Sequence, residues 1–213
     1  MVTRADYAGL EEPTWCKGCG NYGILNAVKM ALAENEIAPH QALIVTGIGC
    51  GSKLPHYATV NGLHTLHGRA VAYAVGAKVA NTVLEVVVIS GDGDLVSIGG
   101  NHFIHAARRN VDITVICVNN FIYAMTGGQV APTTPLKANA STMPYGNYER
   151  PFNIPYLAES SGAVYVARWS ALHVRRLTNG ITEALQKPGF SVVEVISPCS
   201  TLYSRRNRLG TGL

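Results

Sequence analysis

Five short apolar runs rich in β-branched residues, separated by amphipathic stretches, most constrain what this chain can fold into. They are Ala42–Thr46, Val83–Ser90, Ile113–Val118, Ala163–Val166 and Phe190–Ile196. Uninterrupted runs of this kind are the mark of strands buried on both faces of a parallel sheet. The intervening stretches predict helices. Asn21–Glu36 carries Ile24, Leu25, Val28 and Leu32 at helical spacing, with Ile37 just beyond. His67–Asn81 is rich in Ala and Val, with small residues at Gly68, Ala72 and Gly76. Asp94–Arg109 and Ser170–Gln186 complete the set, the last with Ser170 as N-cap and Pro188-Gly189 as its stop. This alternation predicts an α/β fold: a doubly wound, mainly parallel sheet in a single domain of 213 residues. In such sheets ligands bind beyond the carboxyl ends of the strands. Four of the five runs are followed by a Gly-rich or polar signal: GIGC, GDGD, NN and SPC.

Composition narrows the function. The formal net charge is +4 and only 14% of residues are charged. So few charges fit either a chain that buries surface against partners or an ordinary compact core. The visible basic cluster is Arg205, Arg206 and Arg208 near the end, with no interleaved aromatics, which argues against nucleic acid as a partner. No apolar run approaches the roughly 20 residues needed to span a bilayer, and the first residues carry no apolar signal segment. A cytoplasmic chain with no membrane role is expected. Five cysteines, an odd number, also speak against a disulfide framework. Cys117 sits inside the run ITVICV and reads as a buried strand residue.

The richest signal is SGDGD at Ser90–Asp94 followed by Asn119-Asn120 after the next strand. Mg²⁺ prefers oxygen ligands and keeps phosphate oxygens in its shell. Asp92 offers a carboxylate and Asn120 an amide oxygen. A backbone carbonyl just beyond, most simply that of Ile122, completes the protein side. Gly91 and Gly93 allow a tight turn and close approach of backbone to phosphate. A helix beginning near Asp94 adds the favourable field of its N-terminus. Four further cysteines need their own account. Cys16 and Cys19 form a C-x-x-C pair, while Cys50 and Cys199 each follow a strand on the ligand-binding edge. Zinc and an iron–sulfur cluster both accept four thiolates, and spacing alone leaves both open.

The GDG…NN pairing resembles the thiamine diphosphate motif. The resemblance widens through WCKGCGNYGI, GIGCGSK, LHGRA, NNFIYAMTGGQ and SPCSTLYSRRN, in order along almost the whole chain. These segments resemble the β subunits of 2-oxoacid:ferredoxin oxidoreductases, with the closest likeness to the 2-oxoglutarate type. The resemblance implies thiamine diphosphate, Mg²⁺ and a [4Fe–4S] cluster as cofactors. It places Mg²⁺ on Asp92, Asn120 and the Ile122 carbonyl, and the cluster on Cys16, Cys19, Cys50 and Cys199. It brings Ile48, Gly49, Cys50, Gly51, His67, Gly93, Asp94, Ala124 and Met125 against the cofactor. Lys53 becomes a candidate contact for a substrate or coenzyme A anion, and Arg69 for phosphate or a carboxylate. Asn119 is expected behind the metal ligands. No catalytic residue is assigned on this chain, because the family's aminopyrimidine-activating glutamate belongs to the pyrimidine-binding domain of an α subunit. Further small subunits and ferredoxin are the other implied partners.

The implied reaction is oxidative decarboxylation of 2-oxoglutarate with coenzyme A to succinyl-CoA, CO₂ and reduced ferredoxin, which is reversible. Pyruvate or a branched-chain 2-oxoacid is the first alternative. A thiamine-binding structural subunit with a Cys₄ zinc site and no electron transfer is the second. Gly51 and Ala124 stand where many relatives carry Ser and Gly; both are small, so the pocket should survive. Relatives continue past an ending such as RRNRLGTGL with a stretch that packs on the partner.

Overall fold

The structure is a computed structural model and describes residues 1–210. The last three residues of the basic C-terminal segment lie outside the described residues. In chain order the elements are α1 (Asn21–Glu34), β1 (Ala42–Thr46), β2 (Asn61–His64), α2 (Ala70–Ala80), β3 (Glu85–Gly91), α3 (Gly100–Arg108), β4 (Ile113–Asn119), β5 (Ile122–Tyr123), β6 (Gln129–Val130), α4 (Ile154–Ser160), β7 (Tyr165–Ser170), α5 (Val174–Gln186) and β8 (Phe190–Ile196). Six strands form one sheet in the order β2-β1-β3-β4-β8-β7, all parallel. Strands β5 and β6 form a separate two-stranded antiparallel pair.

Alternation along the strands divides the core into two layers. Ile44, Val87, Ile89, Ile116, Val118, Val193 and Val195 face α1 and α5. Val45, Val86, Val88, Val115, Cys117 and Val192 face α2, α3 and α4. Every one of these strand residues is at most 2% exposed. Both faces are thus covered, which is why the strands lack polar alternation. Cys117 is fully buried, as its place in ITVICV predicts. Among the described residues no helix is long and apolar enough to cross a membrane.

The strand order places a switch point between β1 and β3. After β1 the chain turns to β2 on one side; after β3 it turns to β4 on the other. A crevice opens where such connections diverge. GIGC and GDGD flank it, with Asn119-Asn120 one strand further on.

Some boundaries differ from the sequence expectation. The stretch Asp94–Arg109 is not one helix: a π-type turn over Gly93–Ile98 precedes α3. Helix α2 begins at Ala70 rather than His67, and α5 begins after His173. Ser170 does not cap α5; it ends β7, and its hydroxyl accepts from the Leu172 N–H at 3.2 Å. Strand β7 is displaced toward Tyr165–Ser170, because pairing with β8 sets its register.

Two consequences are testable. Phe103 and Phe190 are fully buried and meet edge to face at 5.5 Å. Phe103→Ala should lower the unfolding free energy by about 3–5 kcal/mol, read as a fall in denaturant midpoint at unchanged slope. Glu85 opens β3, and burial pushes its carboxyl up to about 7, with Lys78 partly offsetting this. A folded value above the unfolded one means stability present at low pH and lost as pH rises through about 7. Glu85→Gln should therefore flatten the fall in stability between pH 5 and pH 8, by on the order of 1–3 kcal/mol.

Candidate cofactor and thiol site

The turn after β3 presents two buried carboxylates with different surroundings. Asp94 is 3% exposed and fully engaged. It accepts from the Gly68 N–H at 2.7 Å, the Ile48 N–H at 3.2 Å and the Ser90 hydroxyl at 2.5 Å, and its Oδ1 also meets His67 Nδ1. Asp94 thereby binds together the loops after β1, before α2 and after β3. A side chain at Gly47 would run into this carboxylate, and one at Gly93 would run into the Tyr123 ring. These two glycines are required by close approach.

Asp92 is 1% exposed, and its one side-chain partner is the Thr133 hydroxyl, which donates to Oδ2. Burial pushes its carboxyl up to about 7, against the opposing pull of Thr133 and of nearby amides. Among the described residues it has no ion pair. A buried carboxylate without a countercharge is costly, and a bound cation would balance it. Asn120 stands across the groove after β4. Its Oδ1 accepts from the Ile122 N–H at 3.2 Å, while Asn119 Oδ1 accepts from Phe121 N–H at 3.2 Å. Asn119 Nδ2 donates to the buried Glu194 at 2.7 Å. Asn119 thus lies behind the groove as expected. Between the asparagines and Ile122, Phe121 is held at φ +66°, a conformation a bulky residue adopts only under constraint. Its carbonyl accepts from the Thr134 hydroxyl.

The structure brings the predicted cofactor residues into one groove. Ile48, Gly49, Cys50 and Gly51 form one wall, and His67 with Asp92, Gly93 and Asp94 forms another. Asn120, Ile122, Ala124 and Met125 close it from the β4 side. Tyr123 and Thr126 also line the groove and were not expected; Tyr123 donates to the Gly93 carbonyl at 3.2 Å. Arg69 forms no ion pair among the described residues. Its guanidinium donates to the carbonyls of Ile98 at 3.3 Å and Gly68 at 3.4 Å, closing the end of the π-type turn.

A second cavity of about 410 Å³ adjoins the first and is lined by Cys16, Cys19, Cys50 and Cys199. All four are free thiols. Segments far apart in sequence are tied here: Trp15 Nε1 donates to the Cys50 carbonyl at 2.7 Å, and the Ser200 hydroxyl to the Lys17 carbonyl at 2.8 Å. Burial, then the neighbouring thiols, push Cys19 up to about 11; burial and two of those neighbours also raise Cys50. Among the described residues, no group of three or more His, Cys, Asp or Glu stands in position to hold a single metal ion. Lys53 belongs to this cavity rather than to the groove, and its ammonium donates to Thr14 Oγ1 at 3.2 Å. Cys50, Asn120, Ala124 and Met125 line both cavities.

Comparison with known proteins agrees with this arrangement. Residues 47–195 match the family model for the thiamine pyrophosphate enzyme C-terminal TPP-binding domain. The chain is 50% identical over 193 residues to the 2-oxoglutarate synthase subunit KorB of Methanocaldococcus jannaschii, covering 91% of this chain and 72% of that one. It is 51% identical over 199 residues to the subunit of the same name from Archaeoglobus fulgidus, covering 92% and 74%. It superimposes on the 2-oxoglutarate:ferredoxin oxidoreductase of Magnetococcus marinus, solved with 2-oxoglutarate, coenzyme A and succinyl-CoA bound. The TM-score is 0.92 at 42% identity, over 94% of this chain and 69% of that one. The chain is an oxidoreductase subunit with a thiamine pyrophosphate enzyme domain, and it belongs to the β subunits of the 2-oxoacid:ferredoxin oxidoreductases, of the 2-oxoglutarate synthase type.

Proposed function

We propose that this chain binds thiamine diphosphate, Mg²⁺ and a [4Fe–4S] cluster. As the β subunit of a 2-oxoglutarate:ferredoxin oxidoreductase, it would help convert 2-oxoglutarate and coenzyme A to succinyl-CoA and CO₂, reversibly, with ferredoxin as electron acceptor. The observation that carries this is the shared wall: the groove holding the uncompensated Asp92 and the four-thiol cavity are joined through Cys50.

When bound, thiamine diphosphate supplies the carbon nucleophile and electron sink for decarboxylation, and the cluster supplies one-electron acceptance. The residues of this chain bind and orient. Asp92, Asn120 and the Ile122 carbonyl hold Mg²⁺ through oxygen, which suits that ion. The Gly91–Gly93 backbone gives phosphate close access. Asp94 fixes the His67 ring through Nδ1 at the edge of the groove. Cys16, Cys19, Cys50 and Cys199 ligate the cluster. Four thiols around one cavity beside the cofactor groove suit a redox cluster, which has a use there that structural zinc lacks. Lys53, beside the thiols, meets the substrate or coenzyme anion.

The aminopyrimidine-activating carboxylate is taken to come from a partner α subunit, as the family resemblance implies. The chain, residues 1–213, is read as one domain acting within a cytoplasmic heteromer that also engages ferredoxin. Gly127 lines the four-thiol cavity with nothing within 4 Å of where its side chain would lie. That space makes a roomy pocket; the choice of 2-oxoglutarate rests on the relatives. Preference of the purified complex for pyruvate or a branched-chain acid in a substrate panel would reject that choice.

Two substitutions separate the cavities. Asp92→Ala should abolish Mg²⁺-dependent thiamine diphosphate binding, a loss of at least about 100-fold in affinity by calorimetry, with iron content unchanged. Cys19→Ala should do the reverse: the brown colour that dithionite bleaches disappears while thiamine diphosphate still binds. Colourless wild-type protein containing zinc would support the structural-subunit reading instead.

A further inference from the structure

The sequence motif APTT, inside the long segment between β6 and α4, plays no part in the reading above. In the structure its two threonines are among the most enclosed polar residues. Thr133 is 3% exposed and Thr134 is fully buried. Each hydroxyl reaches out of its own segment to a different part of the groove. Thr133 donates to Asp92 Oδ2, and Thr134 donates to the carbonyl of the strained Phe121.

Behind these two contacts the segment is bonded chiefly to itself. Asn147 Nδ2 donates to the Thr134 carbonyl at 2.7 Å, and the Asn147 N–H to the Ala138 carbonyl at 2.8 Å. The Phe152 N–H donates to the Pro132 carbonyl at 2.8 Å. Its outer side carries Tyr145 and Tyr148, both largely exposed. The segment is also anchored by the pairing of β6 with β5 and by two hydrogen bonds between Asn139 and Asn207, and it touches the Asp92 carboxylate at a single hydroxyl.

We propose that Thr133 is a positioning residue for the Asp92 carboxylate, and that through it the ordering of residues 129–152 is coupled to Mg²⁺ binding. The proposal rests on the metal–diphosphate reading and extends it to a residue that does not itself ligate. By engaging Oδ2, Thr133 fixes the rotation of the carboxylate that would meet the cation. Thr134 holds the turn that presents Asn120 and the Ile122 carbonyl from the other side. Hydrogen bonds behind a ligand typically change metal affinity by about 10–100-fold when removed. Linkage is reciprocal: a contact that tightens the cation must also be tightened by it.

The test uses the complex containing this chain with its partner subunits, as wild type, Thr133→Val and Thr133→Ser. Mg²⁺ is titrated calorimetrically with thiamine diphosphate present, and hydrogen exchange is followed in peptides from residues 129–152 and from β4. In the wild type, Mg²⁺ with thiamine diphosphate should slow exchange in the segment. Thr133→Val should bind Mg²⁺ about tenfold or more weakly and lose most of that slowing at saturating cation, while β4 exchanges as before. Thr133→Ser should restore both. Wild-type affinity and an unchanged exchange response in Thr133→Val would overturn the proposal alone. Failure of the wild type to take up Mg²⁺ with thiamine diphosphate would instead remove the parent reading, and this inference with it. Where Thr133→Val does not assemble, Thr133→Cys, similar in size and a poor donor, gives the same comparison.

Discussion

The carboxylate of Asp94 ties together the loops that make the groove. It draws in the backbone at Ile48 and Gly68, the hydroxyl of Ser90 and the ring of His67. Those groups come from the ends of two diverging strand connections, so the crevice at the switch point is closed at its floor by one side chain. Asp92, two residues earlier, faces the same groove with one hydroxyl for company. Two neighbouring acids therefore have opposite roles. One is satisfied by the protein and holds shape; the other is buried without an ion pair among the described residues.

This division of labour explains how chemistry can sit at the edge of a fully buried sheet. The strands are largely apolar on both faces; the buried polar residues along them are Thr46, Ser90, Thr114, Asn119, Ser191 and Glu194. Polar groups concentrate where the strands stop. Because every strand in the main sheet runs the same way, the endings fall on one side, and residues from four connections meet there. The cysteine cavity forms by the same logic, since Cys50 and Cys199 follow β1 and β8.

Much of this was legible in the sequence, and what was missed has physical causes. The runs at Ala42–Thr46 and Phe190–Ile196 are strands with the bounds read from composition. Strand β2, Asn61–His64, escaped notice because NGLH has no β-branched residue; parallel pairing with β1 makes it a strand. Helix α4 escaped notice because Pro155 reads as a breaker, although proline is tolerated in a first turn, here after the Asn153 cap. The groove residues were found because short glycine and asparagine motifs mark strand ends. The special standing of Asp94 and the contact from Thr133 were not, because both depend on groups 26 and 41 positions away.

Cys50 stands on the wall common to two compartments. The indole of Trp15 pins that backbone through the Cys50 carbonyl. One residue thus acts as a hinge pin between them, and a shift of this peptide would displace both linings together. A change at this position that suits one compartment must also be tolerated by its neighbour.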